Sequence, residues 1–376
     1  MSSSNPSNTA DRKVSVDLYR LAAQLPADAK ALMEEHGRYS LQLGLPWFAI
    51  LEKTILDGHS GLCYFVLRHS DCAVAVLPTV TANRGWGHRV QGLANFYTAL
   101  YSPALMTGLT AQHLTPLVDA VRTLYSPLRS LNLSPMDPTS MAYQALEAAL
   151  ALQGFKTFRY VCFGNWYLPA CAGWPAYLAG RTSKQRSNIK RMEQRLADAG
   201  GRIEFITGLA DIERGLAAYD QVYALSWKVP EPYPLFMPSL MRLCAHHEAL
   251  RLGVVWLGET PIAAQLWVVW GGRAEIFKVA YDEAHKSLSP GTVLTAALMR
   301  HVLDVDHVSE VDYLTGDDPY KRMWMTQRRE RWGLIAYDRR SLPGAIGMLL
   351  ESGTRRARLW LRALSKLLEP RRESPP

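Results

Sequence analysis

The segment Val311-Asp312-Tyr313-Leu314-Thr315-Gly316-Asp317-Asp318-Pro319-Tyr320-Lys321 is the most informative stretch of this 376-residue chain. Its apolar start predicts a β-strand over 308–314, and its Gly-Asp-Asp-Pro centre is typical of a turn and a helix cap. A short helix over 319–326 should follow. Alternation along the strand sends Asp312 and Tyr313 to opposite faces, so only one of them can face a cleft. Asp318 is better explained by the turn than by chemistry.

Three strands and a helix should precede this segment. The apolar runs 251–257, 262–270 and 274–281 predict the strands, and Gly271-Gly272 is a tight-turn signal between the last two. Ser289-Pro290-Gly291-Thr292 then opens a helix that should end at residue 303. Ser289 is a good N-cap, Pro290 suits the first helical position, and Gly291 permits close approach of a ligand. The start of such a helix attracts anions.

Positive charge is concentrated in two places. The net charge is +8, and residues 339–376 hold nine basic and three acidic residues. A basic helix is predicted over 183–199, and Lys184, Arg186, Lys190 and Arg191 on it could bind an anionic substrate; a solvated helix face is the equally simple alternative. In the tail, residues 345–368 can form an amphipathic helix, interrupted at Gly353, that either lies on an anionic membrane or packs on its own domain.

The two halves of the chain share an order of parts: hairpin, helix, strand, short loop, helix, strand. A duplicated domain is therefore predicted, in which the first copy has drifted. We expect a disordered N-terminus at 1–13, a degenerate first domain at 14–172, a second domain with the active cleft at 173–340, and a basic amphipathic tail at 341–376.

Residues 174–337 resemble the CelD-like, cellulose-biosynthesis-associated branch of the GNAT acyltransferase superfamily, which is related to the Fem-type aminoacyltransferases. The likeness lies in the basic opening helix, in the Ser289-Pro290-Gly291-Thr292 helix start after three strands, and in the Asp312 to Lys321 segment. The resemblance implies an α/β (α+β) fold of tandem GNAT-like domains. Each domain would be a mixed, mostly antiparallel sheet flanked by helices and splayed to admit a pantetheine arm.

The resemblance also implies the chemistry: transfer from acetyl-CoA or another acyl-CoA to an amine or hydroxyl in a ternary complex. The donor would bind at Ser289, Pro290, Gly291 and Thr292, with an oxyanion-binding backbone N–H near Val279 or Ala280. Asp312 is a candidate base, although a structural buried carboxylate is equally compatible with its position. Tyr281 and Tyr320 are candidate acids for the thiolate. Tyr313 and Lys321 complete the predicted catalytic set. Trp227, Trp256, Trp267, Trp270 and Trp324 are expected mainly in the core.

Two other functions stay open at this point. The usual GNAT phosphate loop, [QR]-x-x-G-x-[GA], is missing, so the donor could be an acyl carrier protein or, as in Fem enzymes, a charged tRNA. A non-catalytic accessory role in envelope-polysaccharide synthesis is the third hypothesis. The acceptor is expected to be a small molecule or a saccharide.

Composition narrows the class of protein. Hydrophobic and charged contents of 48% and 20% are ordinary for a globular chain. We expect no signal peptide, no membrane span, and no metal site, because metal-ligand spacing is missing. Five scattered cysteines fit a reducing compartment, so a cytoplasmic protein is expected, with contact to the inner membrane surface as an option.

Overall fold

The computed structural model describes residues 14–82, 85–169 and 172–368. The predicted disordered segment 1–13 lies outside the described residues. The first half consists of β1 (Val14–Tyr19), α1 (Ala27–Gly37), α2 (Leu45–Thr54), β2 (Leu62–His69), β3 (Cys72–Ala82), β4 (His88–Gly92), β5 (Ala104–Leu105), α3 (Ala111–Leu124), β6 (Leu128–Met136), α4 (Met141–Leu152) and β7 (Phe155–Pro169).

The second half opens with two helices and then repeats that order. It consists of α5 (Gly173–Ala179), α6 (Ser183–Asp198), β8 (Gly201–Ile206), α7 (Ile212–Ala224), α8 (Phe236–His246), β9 (Leu250–Leu257), β10 (Thr260–Trp270), β11 (Arg273–Tyr281), α9 (Pro290–Asp304), β12 (Glu310–Asp312), α10 (Pro319–Trp324), β13 (Gln327–Asp338) and the C-terminal α11 (Leu342–Leu368). Apart from the two opening helices, the small β5 and α11, each element of one half has a counterpart in the other.

All the strands belong to one sheet, in the order β1-β2-β3-β4-β6-β13-β7-β12-β11-β10-β9-β8, and β5 pairs with β3. The order is symmetric about the central pair β13–β7. Each half also contains one parallel pair, β4–β6 and β11–β12. The predicted tandem α/β architecture of mixed sheets flanked by helices is therefore confirmed.

The final strand of each half is inserted into the other half. Strand β13 lies between β6 and β7, and β7 lies between β13 and β12. The register between them runs from Gln327 opposite Tyr167 to Asp338 opposite Phe155. Because these strands are exchanged, the predicted domain boundary at 172/173 stays a prediction.

Three predicted elements need correction. The strand predicted over 308–314 is only Glu310–Asp312, because the backbone reverses at Leu314 (φ 53°) and Gly316 (φ 111°). The apolar run 334–337 predicts only a short final strand, but the strand extends from Gln327 to Asp338, because it has a partner on both sides. Gly353 does not interrupt the tail helix. Strand β1 and helices α1 and α2, which had no clear sequence pattern, were missed.

A buried polar contact joins the halves. The Gln42 Nε2 atom donates to a Glu275 carboxylate oxygen at 3.0 Å, and Gln42 Oε1 accepts from the backbone N–H of Ala99 at 2.6 Å. The Ser40 hydroxyl lies 3.4 Å from the other Glu275 oxygen. Burial, and then the negative charge of Asp312, raise the pKa of Glu275. The folded protein therefore holds a proton at Glu275 more tightly than the unfolded chain does.

We expect Glu275→Gln to be tolerated and Glu275→Ala to cost about 2–3 kcal/mol, because alanine leaves Gln42 without its acceptor. The raised pKa means that wild-type stability falls as pH rises from the ordinary Glu range toward the folded pKa. Glu275→Gln should flatten that part of the pH profile. Urea unfolding of both variants over a pH series measures this, and a Glu275→Gln profile as steep as the wild type would contradict it.

Candidate active site

The parallel strands β11 and β12 separate and leave a cleft between them. They pair only over Arg273–Glu275 and Glu310–Asp312, yet β11 continues to Tyr281 while the other chain turns away. A cavity of about 750 Å³ occupies this gap. Its walls come from β11, the first turn of α9, the segment after β12, and α10. The lining residues are Phe96, Tyr97, Trp227, Lys228, Ile276, Phe277, Lys278, Val279, Tyr281, Lys286, Ser289, Pro290, Gly291, Thr292, Tyr313, Leu314, Thr315, Asp318, Tyr320 and Lys321.

The first turn of α9 forms one end of the cavity. Ser289 stands at the N-cap with left-handed backbone angles (φ 53°, ψ 42°), and its side chain makes no capping hydrogen bond. The predicted side-chain cap is therefore wrong; the Ser289 carbonyl instead accepts from Thr292 and Val293. A Cβ at Gly291 would lie 3.1 Å from a ring carbon of Tyr281. The turn is held from below by Gln265, whose Nε2 donates to the Gly291 carbonyl at 2.8 Å.

The cavity wall on β11 carries the predicted oxyanion-binding backbone. Val279 lines the cavity, whereas the side chain of Ala280 is buried behind it. Among the described strands, β11 from Ile276 to Tyr281 pairs only with β10. Its register with β10 shifts between Lys278 and Ile276, so β11 bulges at this point. The geometry brings Val279 and the start of α9 to the same cavity.

The charge of the cavity is positive. Lys228, Lys278, Lys286 and Lys321 line it, and Asp318 is the one carboxylate among the lining residues. Burial, and then repulsion from Lys278, lower the pKa of Lys228. Burial also lowers the pKa of Lys321, whose ammonium donates to the carbonyls of Tyr313 (3.2 Å) and Thr315. Such a cavity favours a polyanionic ligand.

Three of the predicted tyrosines meet in the cavity. The Tyr320 hydroxyl lies 3.3 Å from the Thr295 Oγ1 atom, and the Tyr281 ring packs 4.7 Å from that of Trp227. Burial and the neighbouring Tyr320 raise the pKa of Tyr313 well above its usual value. Tyr313 is consequently poorly suited to releasing its proton, and Tyr281 and Tyr320 stay the predicted acids.

Asp312 faces away from the cavity, whereas its neighbour Tyr313 lines it. This agrees with the expectation that successive strand residues point to opposite faces. Its carboxylate accepts from Asn165 at 2.5 Å and from the Leu314 backbone at 2.7 Å, and pairs with Arg329. Although burial opposes ionisation, the charge of Arg329, then that of Arg331, hold the pKa of Asp312 below its usual value. The candidate base is thus an ionised structural carboxylate in this geometry.

The basic residues of α6 lie outside the cavity. Lys184, Arg186, Lys190 and Arg191 are exposed on the outer face of the helix. Buried Ile189 and Leu196 hold its inner face, and Gln185 donates to the Met323 carbonyl of α10 at 2.7 Å. The four predicted substrate-binding residues therefore form a separate surface next to α10.

Several lining residues have no signal in the sequence. Phe96 and Tyr97 come from a loop of the first half, and Tyr97 stacks on Phe236 with ring centroids 4.1 Å apart. Lys278 lines the wall on β11 and pairs with Glu231 at 2.5 Å. Trp227, expected in the core, is half exposed at the cavity mouth, whereas Trp256, Trp267 and Trp324 are buried as expected. Within the described residues no group of His, Cys, Asp and Glu is arranged to hold a metal ion.

Comparison with solved structures shows the fold. FemX superposes with a TM-score of 0.58 and 11% identity, over 89% of this chain and all of FemX. The C-terminal domain of a putative lysylphosphatidylglycerol synthetase from Agrobacterium fabrum gives 0.52 and 11%, over 87% and 96%. The L-PGS of Bacillus licheniformis gives 0.52 and 14%, over 87% and 95%.

Comparison of the sequence gives the domain type. The sequence model of the acetyltransferase (GNAT) domain matches residues 183–322, which include every cavity-lining residue except Phe96 and Tyr97. No curated protein sequence matches the chain. The CelD-like branch stays a prediction. Residues 183–322, which include the splayed strands, are thus similar in sequence to a GNAT-type acetyltransferase domain, and the solved structures resemble the chain in fold.

Proposed function

We propose that the protein is an acyltransferase that moves an acyl group from acetyl-CoA or another acyl-CoA to an amine or hydroxyl of a small-molecule or saccharide acceptor. The observation that carries this proposal is the cavity where β11 and β12 separate at the first turn of α9. Lys278, Lys286 and Lys321, together with a helix N-terminus, suit the phosphates of such a donor, and the open wall of β11 suits its thioester carbonyl.

The cavity residues have separate roles in the direct transfer of the acyl group. The acceptor oxygen or nitrogen attacks the thioester carbonyl carbon. Backbone N–H groups of β11 near Val279 and Ala280 stabilise the negative charge that develops on the carbonyl oxygen. As the carbon–sulfur bond breaks, Tyr320 or Tyr281 supplies a proton to the sulfur. Lys228, whose pKa is lowered, has an increased neutral fraction and can accept the proton that the nucleophile loses. Lys321 adds positive charge beside the same cavity.

Replacing Tyr320 by Phe tests the assigned acid. We expect kcat to fall about a hundredfold with KM nearly unchanged, because only the proton to the leaving sulfur is lost. Thiol release from acetyl-CoA and longer acyl-CoAs, over a panel of amines and hydroxyls, measures it. Tyr160→Phe is the matched control, because its hydroxyl also bonds to a neighbouring side chain, that of Asn132, but lies outside the cavity lining. Equal turnover by wild type and Tyr320→Phe would remove the tyrosine from the mechanism.

An aminoacyl-tRNA donor is the second candidate, and the exposed basic face of α6 favours it. Lys184, Arg186, Lys190 and Arg191 suit a nucleic-acid backbone, and the helix contacts α10 beside the cavity. The same acceptor panel is offered aminoacyl-tRNA in place of acyl-CoA. Transfer from the tRNA alone would replace the first proposal with this one. Transfer from neither would leave the non-catalytic role.

A further inference from the structure

Helix α11 presents an apolar face that the described part of the chain leaves uncovered. Leu342, Leu349, Leu350 and Trp360 are 65%, 64%, 59% and 72% exposed. Together with Ile346, they fall within an arc of about 100° around the helix axis, although Leu349 and Leu350 are adjacent in the chain, so they lie along one side of the helix. Such a row of large apolar side chains is costly to leave in water.

The opposite side of α11 fixes this face in place. Pro343, Gly344 and Gly347 are buried against strands β6 and β13. A Cβ at Gly347 would lie 2.7 Å from a ring carbon of Tyr337 and 3.4 Å from Arg129 Nε. Because the helix backbone sits this close to the sheet, α11 cannot rotate to hide its apolar row without losing that packing.

A cationic groove lies beside the packed side of α11, where Arg129 approaches Gly347. This groove of about 220 Å³ beside the first turns of α11 is lined by Arg89, Arg129, Asn132 and Tyr337, among others. Burial, and then the negative charge of Glu351 on α11, raise the pKa of Tyr337, and the charges of Arg129 and Arg89 oppose that rise. Trp86, half exposed, lies next to Gly87, whose missing Cβ leaves room for Pro343 of α11. The surface therefore combines an apolar row, a tryptophan and a cationic groove.

We propose that this face binds the surface of an anionic lipid bilayer, with α11 lying in the plane of the interface and the Arg89–Arg129 groove receiving lipid phosphates. Charge complementarity selects this partner: the cationic groove lies beside α11, and residues 339–376 hold nine basic and three acidic residues. The contact is peripheral, since no helix in the described residues is long and apolar enough to cross a membrane. The proposal is independent of the acyltransferase chemistry.

Vesicle co-sedimentation of the full chain tests the proposal. We expect binding to vesicles of phosphatidylcholine with about one third phosphatidylglycerol, and roughly tenfold weaker binding to phosphatidylcholine alone. The double variant Leu349→Glu/Leu350→Glu should lower the partition coefficient at least roughly tenfold. Arg89→Gln/Arg129→Gln should weaken binding only to the anionic vesicles. Leu209→Glu is the control, because Leu209 is also half exposed but lies far along the chain from α11.

Circular dichroism and thermal unfolding establish that each variant is folded. Equal partitioning of the wild type and the Leu349→Glu/Leu350→Glu variant would overturn the proposal. Light scattering gives a second readout. A wild-type dimer that becomes monomeric in the same variant, without vesicle binding, would show that a second copy of the chain covers this face and would also overturn it.

Discussion

Gly291→Glu is expected to abolish measurable binding of CoA thioesters while the protein remains folded. Gly291 lies in the first turn of α9, where a Cβ already comes within 3.1 Å of the Tyr281 ring. A glutamate there would fill the cavity end and place a negative charge where the donor phosphates are proposed to bind. We expect affinity to fall at least about a hundredfold, or roughly 2.7 kcal/mol. Calorimetric titration with acetyl-CoA measures the loss.

Gly291→Ala separates size from charge in the same place. Its methyl group requires the Tyr281 ring to move by a few tenths of an ångström, so we expect a small loss of affinity and nearly normal turnover. Undiminished binding by Gly291→Glu would show that the anionic part of the donor does not bind at this turn. If circular dichroism shows that both variants are unfolded, Gly291 is instead required for the packing of the folded protein.

The largest loss of stability is expected from Asp312→Ala. Asp312 accepts hydrogen bonds from Asn165 and the Leu314 backbone, and it pairs with Arg329, which also binds Glu310 at 2.7 Å. Alanine would leave the Asn165 amide and the Leu314 N–H without their acceptor and Arg329 with only Glu310 as its partner, which we expect to cost about 3 kcal/mol. Urea unfolding measures the change. Asp312→Asn, which keeps the shape, should cost less and retain turnover if the carboxylate is structural.

The contribution of Asp312 to stability depends on pH, and the direction of this dependence follows from the lowered pKa of its carboxylate. Because the pKa of Asp312 is lower in the folded than in the unfolded protein, the ionised carboxylate stabilises the fold above its unfolded pKa. That stabilisation is lost as pH falls through the folded value. The wild type should therefore lose more stability on acidification than Asp312→Asn. A loss of turnover in folded Asp312→Asn at all pH values would restore the role of Asp312 as the base.

The sequence was sufficient for elements whose pattern is local. The strands β9, β10 and β11 were predicted to within two residues, because their apolar runs are continuous and Gly271-Gly272 marks a turn. Ser289-Pro290-Gly291 correctly predicted the start of helix α9 and its N-cap residue, but not that the Ser289 side chain makes no capping hydrogen bond, because a left-handed serine has no sequence signature. The stretch Asp312 to Lys321 does bring Tyr313, Tyr320 and Lys321 to the cavity.

The parts of the site that depend on tertiary structure were not predictable. Phe96 and Tyr97 reach the cavity from a loop more than eighty residues before the start of the domain match at residue 183, and neither belongs to a motif. Glu275 is buried in an apolar strand and is satisfied by Gln42, a partner 233 residues distant. Alternation correctly separated Asp312 from Tyr313, but it could not tell which of the two faced the cleft.

The exchange of β7 and β13 makes the two halves mutually dependent for folding. A separated second half would lack the strand that lies between β12 and β13, so both would present unpaired backbone edges that invite aggregation. Deletion of either half would therefore remove a strand that the other half needs to complete its sheet. The first copy is free to drift in its cleft, as long as its last strand still completes the sheet of the copy with the cavity. This constraint gives selection a structural reason to retain the first half, whatever else that half does.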